Sequence, residues 1–294
     1  MQDRKNVAFG GIDLKLYGVI GNPIAQSKSP IMHNDLFGYY GIEAYYQPFL
    51  IEKGELAKAV DGIRALGIAG FNVTVPFKSE IIPLLDYIDP LAKEIGAVNT
   101  VINEGGKLTG YNTDGTGFLK SLEDEGFSTK GADVLVIGAG GAARAISFAI
   151  AQTKPKRIDF CNRSTENATR LAEEIAAHVP SSPLTLREAE REINKYGVVI
   201  QTTPSGMFPK DKEMPLHLEN LKTPLVVADI IYNPMETRFL ETARKSGALT
   251  INGLGMFIHQ GALAFDIWTG IRPDTERMRN LLVNQLGGKR NADW

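Results

Sequence analysis

The sequence predicts an α/β protein with two domains, and two observations favour this fold class. Short apolar segments alternate with longer amphipathic ones along most of the 294 residues, as in proteins whose helices cover a mostly parallel sheet. Near the middle of the chain, the apolar segment 134–137 leads directly into a glycine-rich loop at 138–143, Gly-Ala-Gly-Gly-Ala-Ala. The chain before this loop has about the length of a domain, so we expect one domain on each side of it.

The first predicted domain, residues 1–115, contains strands and helices in alternation. Residues 16–21 form an apolar strand, after which Ser29-Pro30 begins a helix with the serine as N-cap. A second helix, over 54–66, is closed by Gly67. The other strands are expected at 44–50, 68–74, 97–103 and 107–111, and a turn at Gly105-Gly106 joins the last two.

The second predicted domain, residues 116–255, resembles a dinucleotide-binding unit in its order of elements. A helical segment from Asp114 leads out of the first unit, and the glycines between 126 and 131 mark the change. Strands are expected at 133–137, 157–161, 197–201, 225–230 and 248–251, with helices between most of them, which predicts a Rossmann-like domain. Residues 256–294 form C-terminal helices interrupted at 269–273, and we expect the last helix, 273–294, to pack back toward the first domain.

The composition indicates a soluble globular protein and argues against several classes of function. Hydrophobic residues make up 43% and charged residues 22% of the chain, which are ordinary values. A formal net charge of −2 without a cluster of Lys and Arg argues against a nucleic-acid or membrane partner. The single cysteine, Cys161, excludes an internal disulfide and a cysteine-based metal cluster, and no metal is expected. No secretory leader or membrane-spanning run is recognisable, so we expect a cytoplasmic protein.

The glycine loop predicts binding of a dinucleotide. Gly138 permits a tight turn, Gly140 lets the backbone approach a pyrophosphate, and Ala143 allows the next helix to pack closely on the strand. That helix directs its first N–H groups at the phosphates. By itself, the loop indicates the class of ligand and not the reaction.

The tip of the second strand of this domain predicts which dinucleotide binds. A carboxylate at this position accepts a hydrogen bond from the ribose 2′-hydroxyl group and repels a 2′-phosphate. Here the tip reads Asn162-Arg163-Ser164-Thr165, without a carboxylate. Arg163 offers bidentate hydrogen bonds to a 2′-phosphate group, so the pattern favours NADP. The alternative is that Arg163 is a solvated arginine of a surface loop.

Three polar segments of the first domain contain Lys78, Asn99 and Asp114. Lys78 follows the strand predicted at 68–74, and Asp114 closes the domain where the chain crosses to the nucleotide-binding unit. Because open α/β sheets bind ligands at the carboxyl ends of their strands, we expect Lys78 to lie at a ligand-binding edge. A lysine can donate a proton to an oxygen that becomes negative during hydride transfer, and an aspartate can orient its ammonium group. Lys78 and Asp114 are therefore candidates for a catalytic pair, although most lysines are solvated surface groups.

Taken together, these motifs resemble those of the shikimate dehydrogenase family. In the first domain the matching segments are 21–30 with His33-Asn34, 72–78, 96–100 and 110–114. In the second they are 138–143, Asn162-Arg163, 202–207, 229–234 and 252–256 with Gln260. They follow the family's order over nearly the whole chain, and their joint occurrence makes the resemblance specific.

The resemblance implies NADPH-dependent, reversible reduction of 3-dehydroshikimate to shikimate in aromatic amino-acid (chorismate) biosynthesis. Lys78 and Asp114 would be the catalytic pair, with Lys78 handling the proton of the reacting oxygen. The implied substrate-binding residues are Ser27, Ser29 and Tyr232 at the carboxylate, and Thr74, Lys78, Asn99, Asp114 and Gln260 around the ring. The implied cofactor-binding residues are Gly138, Ala139, Gly140, Gly141, Ala142, Asn162, Arg163, Ser164, Thr202, Gly253 and Met256.

One departure from the family pattern bears on cofactor choice. NADP-specific members carry a second basic residue four positions after the arginine, and here that position is Asn167. Arg170 lies about one helical turn further on. A quinate/shikimate dehydrogenase that accepts NAD as well as NADP therefore stays open as an alternative.

A non-enzyme alternative is a dinucleotide-binding regulatory module on the same fold, which would not need the lysine–aspartate pair. His33 and His259 are interpreted as structural, and Cys161 as a core residue that ends a buried strand. The expected partner is a small-molecule substrate, and the expected assembly is a monomer or a homodimer.

Overall fold

The computed structural model of this protein describes residues 14–218, 221 and 225–287. Within these ranges the chain forms two six-stranded sheets with helices on their faces, so the predicted fold class is confirmed. The end of the predicted C-terminal helix, beyond residue 287, lies outside the described residues. Among the described helices, none is both long enough and apolar enough to cross a membrane.

The first sheet is mostly parallel, as predicted. Its strands are β1 (Lys15–Gly21), β2 (Ala44–Leu50), β3 (Gly70–Val73), β4 (Tyr87–Ile88), β5 (Thr100–Glu104) and β6 (Lys107–Tyr111). They lie in the order β2-β1-β3-β5-β6-β4, and only β5 runs against its two neighbours. Helices α1 (Ser29–Tyr39), α2 (Leu56–Ala65) and α3 (Pro90–Ile95) connect them.

The second sheet is parallel throughout. Its strands are β7 (Asp133–Ile137), β8 (Arg157–Cys161), β9 (Pro183–Leu184), β10 (Val198–Gln201), β11 (Val226–Asp229) and β12 (Leu249–Ile251). Their order, β12-β11-β10-β7-β8-β9, is the doubly wound order of dinucleotide-binding domains, in which the first strand lies at the centre. The helices of this unit are α4 (Asp114–Asp124), α5 (Gly141–Gln152), α6 (Thr165–Ile175), α7 (Leu186–Glu192) and α8 (Arg238–Lys245). Helices cover both faces, which explains why the central strands are continuous apolar runs.

The C-terminal helices α9 (Leu254–Thr269) and α10 (Thr275–Gly287) return to the first sheet, as the fold prediction stated. Trp268 of α9 donates a hydrogen bond from Nε1 to the carbonyl oxygen of Val101 in β5 (2.9 Å). Arg277 of α10 binds both carboxylate oxygens of Asp35 in α1 (2.6 and 2.8 Å). Apolar side chains of α1, β1, β2, α9 and α10 share one buried cluster. The chain therefore crosses between the two sheets twice.

Three local predictions need correction. Ser29 is not an N-cap: Lys28 holds that position without a side-chain hydrogen bond, and Ser29 is the first helical residue. The Ser29 N–H instead donates to the Ser27 hydroxyl group (3.3 Å), so an acceptor two residues earlier makes a Ser29 cap unnecessary. Strands β4 and β9 were not predicted, because two residues are too short to show a hydrophobic period.

Candidate active site

Lys78 and Asp114, which are 36 residues apart, form an ion pair. The Lys78 Nζ atom lies 2.6 Å from Asp114 Oδ2, and their side chains are 18% and 6% exposed. Lys78 stands in the turn after β3, and Asp114 is the first residue of α4. A water-poor setting strengthens this attraction relative to a surface pair. The structure therefore brings together the two residues that the family resemblance implied as a pair.

Asn99 and Thr113 fix the orientation of the Asp114 carboxylate. Asn99 Nδ2 donates to Asp114 Oδ1 (2.8 Å) and to Thr113 Oγ1 (2.9 Å), while Asn99 Oδ1 accepts from the Thr113 N–H (2.8 Å). The Thr113 hydroxyl group in turn donates to the carbonyl oxygen of Gln260 (3.1 Å). Both carboxylate oxygens therefore have a donor, one from Asn99 and one from Lys78, and the pair is held from two sides.

Ser27, Ser29 and Tyr232 lie together, although Tyr232 comes from the second unit. The Tyr232 hydroxyl group accepts a hydrogen bond from the backbone N–H of Lys28, which lies between the two serines. Burial raises the pKa of Tyr232 above its ordinary value of 10, so the phenol is a neutral donor. Its ring stacks on Phe257 of α9 at 4.4 Å between centroids. The Tyr232 hydroxyl group therefore lies next to the segment that carries Ser27 and Ser29.

Thr74 and Gln260, the two other residues that the resemblance implied around the substrate ring, are held by hydrogen bonds to backbone carbonyl oxygens. The N–H of Thr74 donates to the carbonyl oxygen of Ile20 (3.0 Å), which holds Thr74 beside the end of β1. Gln260 is half-buried on α9, and its Nε2 atom donates to the Phe257 carbonyl oxygen (2.8 Å). The hydrogen bond from the Thr113 hydroxyl group to the Gln260 carbonyl oxygen joins this part of α9 to the segment that carries Asp114.

The glycine loop has the form that a pyrophosphate requires. Gly138 has φ +114°, in the region that favours glycine, and its N–H donates to the Cys161 carbonyl oxygen (2.8 Å). A Cβ atom at Gly140 would meet no heavy atom within 4 Å, so the space beside it is open. Helix α5 begins at Gly141 without a side-chain cap, which leaves its first N–H groups available to an anion. A dinucleotide fits this cradle.

The loop also lies next to the Lys78–Asp114 pair. A Cβ atom at Gly141 would stand 3.7 Å from Lys78 Cδ. Arg144, one turn later in α5, donates from Nε to the Ile95 carbonyl oxygen at the end of α3 (2.7 Å). The phosphate-binding edge of the second sheet therefore faces the lysine of the first.

The predicted adenosine end is exposed and basic. Arg163 and Ser164 are exposed between β8 and α6, and Asn162 Nδ2 donates to the Ser164 carbonyl oxygen (3.1 Å). Arg163 has no hydrogen-bond or ion-pair partner among the residues that the structure describes. Arg170 extends toward the start of α6, where its guanidinium donates to Asn167 Oδ1 (3.2 Å). Arg170 therefore contacts residue 167, the position at which NADP-specific members carry a second basic residue.

The remaining candidates follow β10 and β12 or belong to the glycine loop itself. The Thr202 hydroxyl group, just after β10, donates to the Ile137 carbonyl oxygen (2.7 Å). The Gly253 N–H donates to the Ile231 carbonyl oxygen (3.0 Å). Met256, 8% exposed, packs in the apolar cluster that contains β7 and α5. Ala139 and Ala142 are half-buried within the loop itself.

His33, His259 and Cys161 stand outside this constellation. His33 is fully buried and stacks on Tyr46 at 4.6 Å. His259 contacts Asp124 (2.7 Å), and burial raises the pKa of Cys161 to about 12. Sequence reasoning missed Asn72, Thr113 and Arg144 as contributors to this site. Asn72 and Thr113 are polar residues within the quoted motifs, close to the candidates Thr74 and Asp114, and that was the signal that could have found them.

Three family models match the chain in succession. They are "Shikimate dehydrogenase substrate binding domain" over residues 19–101, "Shikimate / quinate 5-dehydrogenase" over 121–238, and "Shikimate 5'-dehydrogenase C-terminal domain" over 253–283. A shikimate dehydrogenase (NADP(+)) from Bacillus cereus is 50% identical over 277 residues, 93% of this chain and 99% of the relative.

The chain belongs to the shikimate dehydrogenase family.

Solved structures agree with this assignment. A shikimate dehydrogenase in complex with NADP+ is 44% identical, with a TM-score of 0.87 and coverage of 93% of this chain and 96% of the other. A shikimate 5-dehydrogenase from Listeria monocytogenes, in complex with shikimate and NAD, is 35% identical, with a TM-score of 0.85 and coverage of 96% and 99%. The family resemblance predicted from the motifs is confirmed.

Proposed function

We propose that this shikimate dehydrogenase family member catalyses the NADP-dependent, reversible reduction of 3-dehydroshikimate to shikimate in aromatic amino-acid biosynthesis. The observation that carries the proposal is the Lys78–Asp114 pair, held against the first turn of the dinucleotide-binding helix. Relatives named as NADP-dependent shikimate dehydrogenases at 50% identity support the same reaction.

Lys78 transfers the proton in the proposed reaction, and Asp114 orients Lys78. NADPH, when bound, supplies the hydride that reduces the carbonyl carbon. The carbonyl oxygen gains negative charge as this happens, and the Lys78 ammonium group stabilises that charge and donates the proton that completes the hydroxyl group. Asp114 holds the ammonium group in place, and in the direction of oxidation Lys78 takes the proton back.

The substrate-binding residues follow from the polarity of a carboxylated ring that carries hydroxyl groups. Ser27, Ser29 and Tyr232 offer hydroxyl donors at one end of the cleft, which suits the carboxylate group. Thr74, Asn99 and Gln260, with Asp114 and Lys78, surround the ring hydroxyl groups. A buried site of this kind discriminates strongly against analogues that lack a hydroxyl group, because its own polar groups would be left unpaired.

The cofactor-binding residues follow from the glycine loop. We assign the pyrophosphate to Gly138, Ala139, Gly140, Gly141 and Ala142. Asn162, Arg163 and Ser164 would hold the 2′-phosphate end, and Arg170 supplements them. Thr202, Gly253 and Met256 would lie at the nicotinamide end, where Met256 provides an apolar wall. Accordingly, residues 1–115 would be the substrate domain and 116–255 the NADP domain, in a cytoplasmic enzyme whose buried Cys161 stays reduced.

A second candidate is a quinate/shikimate dehydrogenase that uses both nucleotides. It is favoured by Asn167 in place of a basic residue and by the family model that names both substrates. The test is a spectrophotometric assay with shikimate and quinate, each with NADP and NAD. The proposal predicts the highest kcat/KM for shikimate with NADP. Comparable values for quinate with NAD would favour the second candidate, and no turnover of either substrate would refute both.

A further inference from the structure

A chain of buried hydrogen bonds leads from β2 to the catalytic pair, and the proposed reaction uses only its last members. Tyr46 Oη donates to Asn72 Oδ1 (2.7 Å), and Asn72 Nδ2 donates to Thr100 Oγ1 (3.1 Å). Thr100 Oγ1 lies 3.1 Å from Asn99 Oδ1, and Asn99 donates to Asp114. We call Tyr46, Asn72 and Thr100 the buried relay.

The orientation of the Asn99 amide indicates how the hydrogen bonds of the buried relay are directed. Asn99 must turn its NH2 group to the carboxylate of Asp114, so its Oδ1 atom must accept, and the Thr100 hydroxyl donates to it. Thr100 then accepts from Asn72 Nδ2, whose other proton goes to the Asn99 carbonyl oxygen (3.1 Å). Asn72 Oδ1 is left to accept from Tyr46. All donors therefore point toward Asp114.

Stability alone does not account for the buried relay. Tyr46 and Thr100 are fully buried and Asn72 is nearly so, and apolar side chains of the same shape would avoid the cost of desolvating their polar groups. The relay begins at Tyr46, whose ring stacks on the buried His33, and it ends at Asn99, which reaches the lysine–aspartate pair.

We propose that Tyr46, Asn72 and Thr100 are positioning residues, an inference that rests on the proposed function. They hold the Asn99 amide in place, and Asn99 in turn holds the Asp114 carboxylate in the orientation that proton transfer by Lys78 needs. Small displacements of catalytic groups are costly, because a shift of about 1 Å can lower a rate about a hundredfold. Thr100 is the most informative member, since its single hydroxyl group joins the relay to Asn99.

The experiment compares Thr100→Val with Thr100→Ser in steady-state oxidation of shikimate with NADP. Valine keeps the shape and removes the hydroxyl group, whereas serine keeps the hydroxyl group and removes a methyl group. We expect Thr100→Val to lower kcat about tenfold, with the KM for NADP changed less than about twofold. Thr100→Ser should keep at least about half of the wild-type kcat.

Thr129→Val is the matched control. Thr129 is equally buried, and its hydroxyl group lies 2.7 Å from Thr153 Oγ1, before β7 and away from the glycine loop. This variant should lose stability and keep the wild-type kcat. A purely structural role for the relay predicts that Thr100→Ser loses at least as much activity as Thr100→Val. That result, or a wild-type kcat for Thr100→Val, would overturn the proposal.

Two further measurements keep the test decisive. If Thr100→Val does not fold, Tyr46→Phe replaces it, with an expected threefold or so loss of kcat; a wild-type kcat would overturn the proposal. If the wild-type enzyme does not oxidise shikimate, the proposed function fails, and the buried relay is judged by hydrogen exchange of the Asn99 side-chain amide instead. Exchange at least about tenfold faster in Thr100→Val supports the relay, and equal exchange refutes it.

Discussion

His33 carries a pH-dependent part of the stability that the structure allows us to calculate. Its ring is fully buried on α1, stacked on Tyr46 and 5.2 Å from the ring centroid of Trp268. Neither ring nitrogen has a hydrogen-bond partner among the described residues. Burial lowers the pKa of His33 from 6.5 to about 3, because the charged ring cannot be solvated there.

The sign of the effect follows from proton binding in the two states. Below pH 6.5 the unfolded chain protonates His33, while the folded protein keeps it neutral down to about pH 3. This contribution to stability is therefore complete above pH 6.5 and is lost progressively as the pH falls toward 3. Between pH 7.5 and pH 5 the loss amounts to about 2 kcal/mol. The protonated ring would also lie against Tyr46 of the buried relay.

His33→Phe tests this calculation, since phenylalanine keeps an aromatic ring and cannot be protonated. Urea unfolding of the wild type and the variant at pH 7.5 and pH 5 gives the pH-dependent loss of each, and packing effects that do not depend on pH cancel. The variant should lose about 2 kcal/mol less than the wild type. The exposed His217→Gln is the control and should match the wild type. Equal losses in His33→Phe and the wild type would refute the reasoning.

Three further predictions follow from the same structure. Gly140→Ala should keep the wild-type melting temperature within a few degrees, because the new Cβ atom meets no other heavy atom within 4 Å. It should raise the Kd for NADP at least about tenfold, because the methyl group fills the space for the pyrophosphate. An unchanged Kd in titration calorimetry would contradict this. Arg163→Ala should raise the KM for NADP about tenfold or more and the KM for NAD less than about twofold, because a charge-assisted hydrogen bond to the 2′-phosphate is lost. Arg170→Ala should raise the KM for NADP in the same direction but by less. Equal effects on the KM values of both nucleotides would exclude a phosphate contact. Burial raises the pKa of Asp229 to about 7. The folded protein therefore keeps a proton on Asp229 that the unfolded chain releases above about pH 4, and stability falls as the pH rises toward 7. In urea unfolding, Asp229→Asn should remove about 2.5 kcal/mol of this loss between pH 5 and pH 7.5, and an unchanged dependence of stability on pH would refute the shift.

Much of the second unit could be predicted because its central strands are easily recognised in the sequence. Central strands covered on both faces are continuous apolar runs, and the glycine loop after β7 is a pattern with a physical reason for each small residue. Strands β4 and β9 escaped because each has two residues. The Ser29 cap was wrong because the pattern of Ser-Pro does not show that Ser27 already supplies an acceptor.

The candidate site was predictable at its ends and not in its interior. Lys78 and Asp114 were suggested by position, since both follow predicted strands of one sheet. The buried relay depends on register: Asn72 of β3 lies opposite Thr100 of β5 in an antiparallel pair, within a sheet in which β5 alone runs against its neighbours. Nothing in the local sequence shows that pairing, and Tyr46 reaches Asn72 only because both strands flank β1.

The proton transfer by Lys78 is the centre of this account, and Lys78→Met tests it most directly. Methionine keeps most of the length and removes the ammonium group. Stopped-flow reduction of NADP by shikimate should slow at least about a thousandfold, while the Kd for NADP, measured by fluorescence, stays within about threefold of the wild type. A Lys78→Met protein that reduces NADP at the wild-type rate would contradict the assignment.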